Sequence, residues 1–492
     1  MILWLVSQPS LASSTTIDRH SLLVSFLSVT DKQLQWQTQE RLSLLKEALL
    51  TLEDHGLSAS NYQIARLTAL IDRMETEPVE VSAAEDALIS GAYLEAIADL
   101  KHGRTRHLDI EPYLNFQQPT QSTLSSIIDL AVTHLDQPKK AFQLARPQIP
   151  EYENLVTALV RLNSEIDEKR PLPVISPDRP SLRLGMSDIR VPLLRQHLLP
   201  DEYVESTLYD EPLRDAVKAY QQQKGLDADG IAGPQTLARL NQTPEKILHL
   251  VKINLERWRR VNHALTEDRV IANIPGAQLD YYQNNERVFH SRTQVGRRDR
   301  PTPLMISEIS HFTLNPTWTI PPTIYRNDKL PAIQADISYL QSNRLTVLDP
   351  QGNQLDPDSI DWDNPGSILL RQSAGPHNAL GQVVIRFPNQ QSIYLHDTPN
   401  QRLFDRNERF FSSGCIRVED AKTLVSQLLD ATQTPQAPQF DNLLISGSTR
   451  NLNIAKPITI ILGYWTVEAD EQGQVTLFTD VYNLDASFES AL

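Results

Sequence analysis

The chain has 492 residues and a formal net charge of −15, with 40% hydrophobic and 22% charged residues. A chain of this length is too long to fold around one hydrophobic core, and the length predicts about three domains. The composition is typical of a soluble globular protein and argues against wholesale disorder. The acidic balance excludes a nucleic-acid partner, which would require a basic face.

The N-terminus, from Met1 to Ser13, combines a short apolar run with small residues. This pattern resembles the end of a secretion signal, although no basic segment precedes the apolar run. We therefore assign residues 1–32 to a leader, either a residual signal region or a disordered start, and leave both alternatives open. No later stretch of the sequence is long and apolar enough to cross a bilayer, so we predict no transmembrane segment.

Residues 33–168 are predicted to form a helical scaffold domain, because apolar residues recur there at helical spacing. The predicted helices cover 33–52, 57–74, 82–100, 123–135 and 151–166, and Gly56 ends the first of them. We expect a purely structural role for this domain. Residues 169–180 contain four prolines, which exclude a helix interior or a central strand and predict a semi-rigid linker.

Residues 181–242 are predicted to form a small module with helices at 189–199, 211–223 and 235–240. Gly225, Gly230 and Gly233 punctuate the turn before the last helix and supply positive φ angles. The spacing is similar to that of the peptidoglycan-binding module of cell-wall hydrolases. Glycan binding and mere positioning of the next domain are both left open.

A connecting helix is predicted over 244–261, within a connector at 243–265. Its basic residues Arg257, Arg259 and Arg260 are expected on a solvated face. From 266 to 485 the hydrophobic period changes to two, which predicts a mainly β domain. A proline-rich insertion at 317–375 interrupts this rhythm and is expected to cap the active site. The predicted fold class is therefore multidomain α+β.

The segment from Ser392 to Ala421 carries the chemistry, because it holds Cys415, the only cysteine of the chain. A short strand is predicted to end at His396, and Ser413 and Gly414 form a turn immediately before the thiol. A helix predicted from about residue 419 would place the thiol near a helix N-terminus, where the dipole favours thiolate.

A nucleophilic cysteine requires a base and donors for the oxyanion. His396 is the candidate base, backbone amides around Ser413, Gly414 and Cys415 are candidate donors, and Arg417 fixes the loop or binds a substrate carboxylate. The alternative for each residue is structural, since a lone cysteine is more often a buried small hydrophobe.

The strings HDT at 396–398 and SSGCIRVED at 412–420 resemble the H(G/D)T and S(H/S)GCIR signature of the L,D-transpeptidases. Further resemblance to the large multidomain branch of that family, found in the Gram-negative periplasm, extends over about residues 40–485. It is carried by 295–297, 302–303, 314–318, 378–381 and 387–389. Asp397 stands where many members have Gly, and Ser413 where many have His, so the group that orients His396 is left open between a carboxylate and a backbone carbonyl.

The resemblance implies attack by Cys415 on the diaminopimelate to D-alanine bond of a peptidoglycan stem peptide, with transfer to an amine. It further implies a periplasmic enzyme that carbapenems acylate, with peptidoglycan glycan and stem peptides as partners and an envelope protein as an alternative acceptor. No cofactor and no metal are expected.

Four residues are proposed to line the substrate cleft: Trp318, Tyr325, Asn378 and Tyr394. Aromatic residues at such positions are more often packing residues. Two other functions stay open at this point: an L,D-carboxypeptidase that trims stems with water, and a wall-binding protein whose Cys415 is inert.

Overall fold

The computed structural model describes residues 19–77, 79–108, 110–111, 121–168, 172–202, 205–489 and 491. The scaffold domain has seven helices in the described residues, and the first six surround one apolar core. They are α1 (Arg19–Val29), α2 (Gln39–Leu50), α3 (Ile64–Thr76), α4 (Ala83–His102), α5 (Gln121–Thr133), α6 (Pro138–Ala145) and α7 (Pro150–Glu168).

The predicted leader is wrong for the residues of α1, because Leu22 and Phe26 of this helix are fully buried in the scaffold core. Residues 1–18 of the predicted leader lie outside the described residues. The first predicted helix begins later than expected, at Gln39, because the Thr38 side chain accepts the Arg41 N–H and caps the helix there. The short helix α6 was not predicted.

Three helices form the small module: α8 (Val191–Leu198), α9 (Glu211–Gln223) and α10 (Pro234–Leu240). The predicted bounds of α9 are confirmed. The preceding linker has no regular structure over 172–180, but it is docked rather than free. Ile175 is buried, and its backbone N–H and C=O bond the Asn241 side chain at 2.8 and 2.7 Å.

Helix α11 (Pro244–Val261) connects the module to the β domain, and its predicted bounds are confirmed. The prediction of a solvated basic face is wrong, since Arg257, Arg259 and Arg260 are 3%, 0% and 1% exposed. Arg257 bonds Glu111 at 2.9 Å and Asp485 at 2.5 Å. Arg257 therefore joins the scaffold domain to the C-terminal segment.

The catalytic domain is built on one nine-stranded sheet, which confirms its predicted β character. Its strands are β1 (Arg269–Asn273), β2 (Gln278–Gln283), β3 (Glu286–Gly296), β4 (Met305–Leu314), β8 (Val383–Arg386), β9 (Leu395–His396), β10 (Phe410–Ser412), β11 (Ile416–Val418) and β12 (Arg450–Gly463), with β5 to β7 in the insertion. Their order is β10-β3-β11-β9-β8-β4-β12-β1-β2, and β2 also pairs with β3. The sheet therefore closes on itself around an apolar core.

Helices α15 (Ala421–Ala431) and α16 (Phe440–Ile445) follow β11 and pack against the same core. The chain ends with the hairpin β13 (Val467–Ala469) and β14 (Val475–Leu477) and the helix α17 (Ala486–Glu489). Trp465 stacks on Trp258 of α11 with ring centroids 3.9 Å apart. This stack lies in a second apolar cluster shared by α7, α11 and the sheet, so the scaffold domain and the sheet are packed together.

The insertion at 317–375 forms a subdomain with its own core, centred on Ile333, Leu340 and Leu370. It contains a three-stranded sheet, β5 (Trp318–Thr319), β6 (Leu345–Leu348) and β7 (Leu369–Gln372), in the order β5-β7-β6. Its short helices are α12 (Pro322–Ile324), α13 (Leu330–Ala335) and α14 (Ser338–Ser342). Among the described residues, no helix of the chain is both long and apolar enough to span a membrane.

Arg257→Ala is expected to lower the free energy of unfolding by about 3–5 kcal/mol, because it leaves the buried carboxylates of Glu111 and Asp485 without their cation. Arg66→Ala, at an exposed scaffold position, is the matched control and should change it by less than about 0.5 kcal/mol. Urea unfolding of the full chain, followed by tryptophan fluorescence, measures both. Equal midpoints for the two variants would contradict a structural role for the buried cation.

Candidate active site

The site lies on two neighbouring strands of the closed sheet, β9 and β11. Strands β9 and β11 run parallel, with Leu395 opposite Ile416 and His396 opposite Arg417. Cys415 is therefore adjacent to Tyr394, an arrangement held by the Ile416 N–H to Tyr394 C=O bond of 3.2 Å. Side chains alternate between the two faces along a strand, and facing residues of paired strands point to the same side. One face therefore carries the buried Leu395 and Ile416. The opposite face carries four side chains, those of Tyr394, His396, Cys415 and Arg417.

The thiol precedes a strand rather than a helix, which corrects the expectation of a helix N-terminus. Strand β11 separates Cys415 from α15, which begins only at Ala421. The physical reason is the β-branched pair Ile416 and Val418, which is buried in the sheet core. The dipole of α15 is therefore not expected to lower the pKa of this thiol.

The turn before the thiol is fixed by hydrogen bonds to the backbone. Gly414 has a φ of +117°, a region that side chains rarely adopt, so glycine is required there. Its N–H donates to Ser412 Oγ at 3.1 Å, and its C=O accepts from Thr302 Oγ1 at 2.7 Å. The same Thr302 oxygen accepts the Gly296 N–H at 2.8 Å, so β3 positions the cysteine turn.

Ser413 is exposed and lies against the capping subdomain. Its Oγ accepts from Arg300 Nη1 at 3.3 Å. The same guanidinium donates to both carboxylate oxygens of Asp328, at 2.6 and 2.9 Å. Since Asp328 belongs to the insertion, this bidentate pair ties the cap to the turn that carries the thiol.

His396 is 4% exposed, and its Nδ1–H donates to the Asp397 backbone carbonyl at 2.6 Å. Burial, with a smaller contribution from the charge of Arg417, lowers the pKa of His396 to about 3. The imidazole is therefore neutral at neutral pH, with Nε2 left to accept a proton. Of the two groups that could orient His396, a carboxylate or a backbone carbonyl, the structure has the carbonyl of Asp397. A backbone carbonyl can orient the ring whatever side chain residue 397 carries.

The Asp397 carboxylate holds the backbone rather than the imidazole. Its two oxygens accept the N–H groups of Gln382 and Thr398, at 2.9 and 2.7 Å. Gly381, with a φ of +60°, passes so close that a Cβ there would lie 2.3 Å from Asp397 Oδ2. The glycine and the carboxylate together fix the loop before β8 against the end of β9.

Burial raises the pKa of the Cys415 thiol. Four smaller effects lower its pKa: hydrogen bonds from the Tyr394 backbone N–H and hydroxyl, and the charges of Arg386 and Arg417. Burial raises the pKa of Tyr394, and Trp318 at the start of the insertion has a smaller effect that lowers it. The Tyr394 ring centroid lies 5.7 Å from that of His396, so one tyrosine contacts both the thiol and the imidazole.

The structure brings together six of the nine proposed site residues on one face or on the turn beside it: Cys415, His396, Tyr394, Arg417, Ser413 and Gly414. In the residues described, no direct hydrogen bond joins the thiol to the imidazole. Arg417 is largely buried and donates to Gln294 Oε1 at 3.0 Å, which anchors β11 to β3. Catalytic hydrogen bonds often form only in the complex with substrate.

Asn378 is 2% exposed, and its amide is occupied by the backbone. Its Nδ2 donates to the carbonyls of Pro316 and Ser373, at 3.0 and 2.9 Å, and its Oδ1 accepts the Leu380 N–H. This residue ties together the two ends of the capping insertion, which favours a structural role over contact with substrate. Tyr325 packs on the apolar core of the cap and is partly exposed.

Three residues that position or surround the thiol were not proposed from the sequence: Thr302, Arg300 and Arg386. Thr302 lies in a dipeptide that resembles a landmark of the family, and that was the available signal. Arg386 follows three apolar residues of a predicted strand, where alternation alone assigns no function.

The thiol and a neutral imidazole thus lie on one face of a closed β sheet, beside an insertion that has its own core. Residues 267–436 match the family described as "L,D-transpeptidase catalytic domain". Residues 21–159 match "Scaffold domain" and residues 194–240 match "Putative peptidoglycan binding domain". Over residues 267–436 the chain therefore belongs to the family of L,D-transpeptidase catalytic domains, and residues 194–240 are similar to a peptidoglycan-binding domain.

A protein named "Putative L,D-transpeptidase" from Haemophilus influenzae is 37% identical over 225 residues, which are 45% of this chain and 45% of that protein. The aligned part thus spans about half the length of this curated relative. A solved L,D-transpeptidase from Mycobacterium smegmatis is 14% identical, with a TM-score of 0.19, over 39% of this chain and 58% of that one. A TM-score this low gives the structural likeness no weight.

Tyr394→Phe is expected to raise the pKa of Cys415, because the hydroxyl that donates to the thiolate is lost. The reaction of Cys415 with iodoacetamide at neutral pH should slow by roughly tenfold, and its pH profile should move to higher pH. Tyr220→Phe, in the small module, is the matched control. An unchanged profile in Tyr394→Phe would contradict the hydrogen bond.

Proposed function

We propose that this protein is an L,D-transpeptidase that forms peptidoglycan cross-links by acyl transfer through Cys415. The observation that supports this most is the placement of Cys415 and His396 on adjacent parallel strands, on one face, within the matched catalytic domain. The donor is a tetrapeptide stem with a diaminopimelate to D-alanine bond. The acceptor is the side-chain amine of a second stem.

In the first step, Nε2 of His396 takes the thiol proton, and the Cys415 sulfur attacks the carbonyl carbon of the donor bond. The imidazolium returns the proton to the leaving nitrogen, D-alanine departs, and a thioester remains on Cys415. The Gly414 N–H is already donated to Ser412, so the amides of Ser413 and Cys415 are the candidate donors to the oxyanion.

In the second step, a deprotonated amine attacks the thioester, and the thiol is regenerated. Burial favours the uncharged forms of both the thiol and the imidazole before substrate binds. The charged pair is therefore expected to form only when substrate brings the sulfur and the ring together. Water must be excluded for transfer to exceed hydrolysis.

The cap favours transfer over the alternative of an L,D-carboxypeptidase. Arg300 ties Asp328 of the cap to the cysteine turn, through hydrogen bonds to both carboxylate oxygens of Asp328 and to Ser413. These contacts keep the insertion beside the nucleophile, where it can shield the thioester from water. An envelope protein stays a second candidate acceptor.

The small module supports a substrate in the cell wall and hence a site of action in the periplasm. Two side-chain hydrogen bonds join the module to the catalytic domain. Gln235 of the module donates to Glu408 at 2.6 Å, and Asp227 of the module accepts from Asn407 at 2.5 Å. Arg239 also donates to the Leu477 carbonyl at 2.6 Å. These contacts favour a module that orients the catalytic domain on peptidoglycan, and glycan binding by the module itself remains a proposal.

Cys415→Ala is expected to abolish formation of the acyl-enzyme, while the chain stays folded. The measurement is intact mass spectrometry after incubation with purified tetrapeptide muropeptides, and separately with a carbapenem. The unsubstituted protein should gain the mass of one acyl group. Cross-linked product from Cys415→Ala would refute the assignment, and a folded, unmodified wild-type protein would favour the wall-binding protein with an inert cysteine.

Asp328→Asn is expected to raise the ratio of hydrolysed to cross-linked product by about two- to fivefold, because it weakens the ion pair that holds the cap. Product analysis by liquid chromatography, with and without acceptor, gives this ratio. Asp358→Asn, elsewhere in the cap, is the control. If the two variants give the same ratio, the pair does not control access of water.

A further inference from the structure

One row of side chains crosses the sheet beside the thiol and includes an arginine that the mechanism above does not use. Strand β8 is antiparallel to β9, with Val384 opposite His396 and Ile385 opposite Leu395. Continuing this register by one residue places Arg386 opposite Tyr394, which in turn is adjacent to Cys415. The guanidinium carbon of Arg386 lies 5.0 Å from the Tyr394 ring centroid, so the arginine extends over the tyrosine on the face of the thiol.

The Arg386 guanidinium is half-buried, and no carboxylate pairs with it among the residues that the structure describes. Its Nε donates to Thr313 Oγ1 at 3.2 Å. A guanidinium has five N–H donors in a planar fork that matches a carboxylate. Partial burial of such a cation without an anion is unfavourable, and a bound anion would offset that cost.

The groups around Arg386 do not neutralise it. On its other side lies His311 of β4, and burial together with the charge of Arg386 lowers the pKa of that histidine, which favours the neutral ring. Arg417 adds a second cation on the same face, one row further along β11. Both arginine charges therefore act on the sulfur, in a positive field that attracts anions.

We propose that Arg386 is a specificity-determining residue that binds a carboxylate of the acyl donor beside the bond that Cys415 attacks. This inference rests on the proposed function, because stem peptides carry free carboxylates close to that bond. The bound carboxylate would hold the donor carbonyl at the sulfur. The cation–π contact with Tyr394 keeps the guanidinium in place for this contact.

The test uses two small alkylating reagents of nearly equal size, iodoacetate and iodoacetamide. With either reagent the Cys415 thiolate forms a C–S bond, the C–I bond breaks, and iodide leaves. Only iodoacetate carries a carboxylate. Because the chain has one cysteine, the rates report on this thiol alone. A change in the pKa of the thiol alters both rates equally, so the ratio of the iodoacetate rate to the iodoacetamide rate isolates anion binding.

Arg386→Gln is expected to lower this ratio by at least about threefold, whereas Arg386→Lys should keep most of it. Arg66→Gln, at an exposed scaffold position, is the matched control and should leave the ratio unchanged. A ratio that is the same in Arg386→Gln and in the unsubstituted protein overturns the proposal. An equal fall in both rates also overturns it, because it would show that the arginine acts only on the thiol.

A second measurement needs no variant. In the unsubstituted chain, N-acetyl-D-alanine should slow alkylation by iodoacetamide more than N-acetyl-D-alaninamide does at the same concentration, and equal protection overturns the proposal. Neither experiment uses peptidoglycan. A charge-selective thiol that forms no acyl-enzyme with muropeptides would refute the proposed function alone, and a cross-linking enzyme without charge selectivity would refute this inference alone.

Discussion

The parallel pairing of β9 with β11 is the constraint on which the site depends. Facing residues of this pair point to one side, so the register alone decides that the thiol and the imidazole share a face. A slip of one residue would turn Cys415 into the apolar core and bring Ile416 to the surface. Such a slip is prevented because the sheet is closed through β2 and β3, and β9 and β11 are each paired with a strand on both sides.

Patterns within short stretches of sequence predicted the helices and strands that neighbouring residues alone determine. The bounds of α9 and α11 follow from apolar spacing and from residues that cap or begin a helix, and the structure confirms both. The β character of the catalytic domain follows from period-two alternation. Cys415 and His396 were selected by residue type and by resemblance to a family, and the strand pairing that relates them is invisible to periodicity.

The failures have a common physical cause, which is contact between distant parts of the chain. Arg257 appears solvated when its own helix is considered, but Glu111 and Asp485 lie 146 and 228 positions away and bury it. Helix α1 appeared to be a leader because its burial depends on α4 and α5. The helix predicted after Cys415 is present as α15, but the thiol is not at its N-terminus because three residues first pair with β3 and β9.

Asn378 gives the insertion at 317–375 a closed base, since one amide holds the carbonyl just before the insertion and a carbonyl near its end. The segment between them has its own apolar core and its own small sheet. Lengthening, shortening or exchanging that segment would therefore leave the strands of the barrel in register. Evolution can therefore change the surface beside Cys415 without changing the strands that position the thiol.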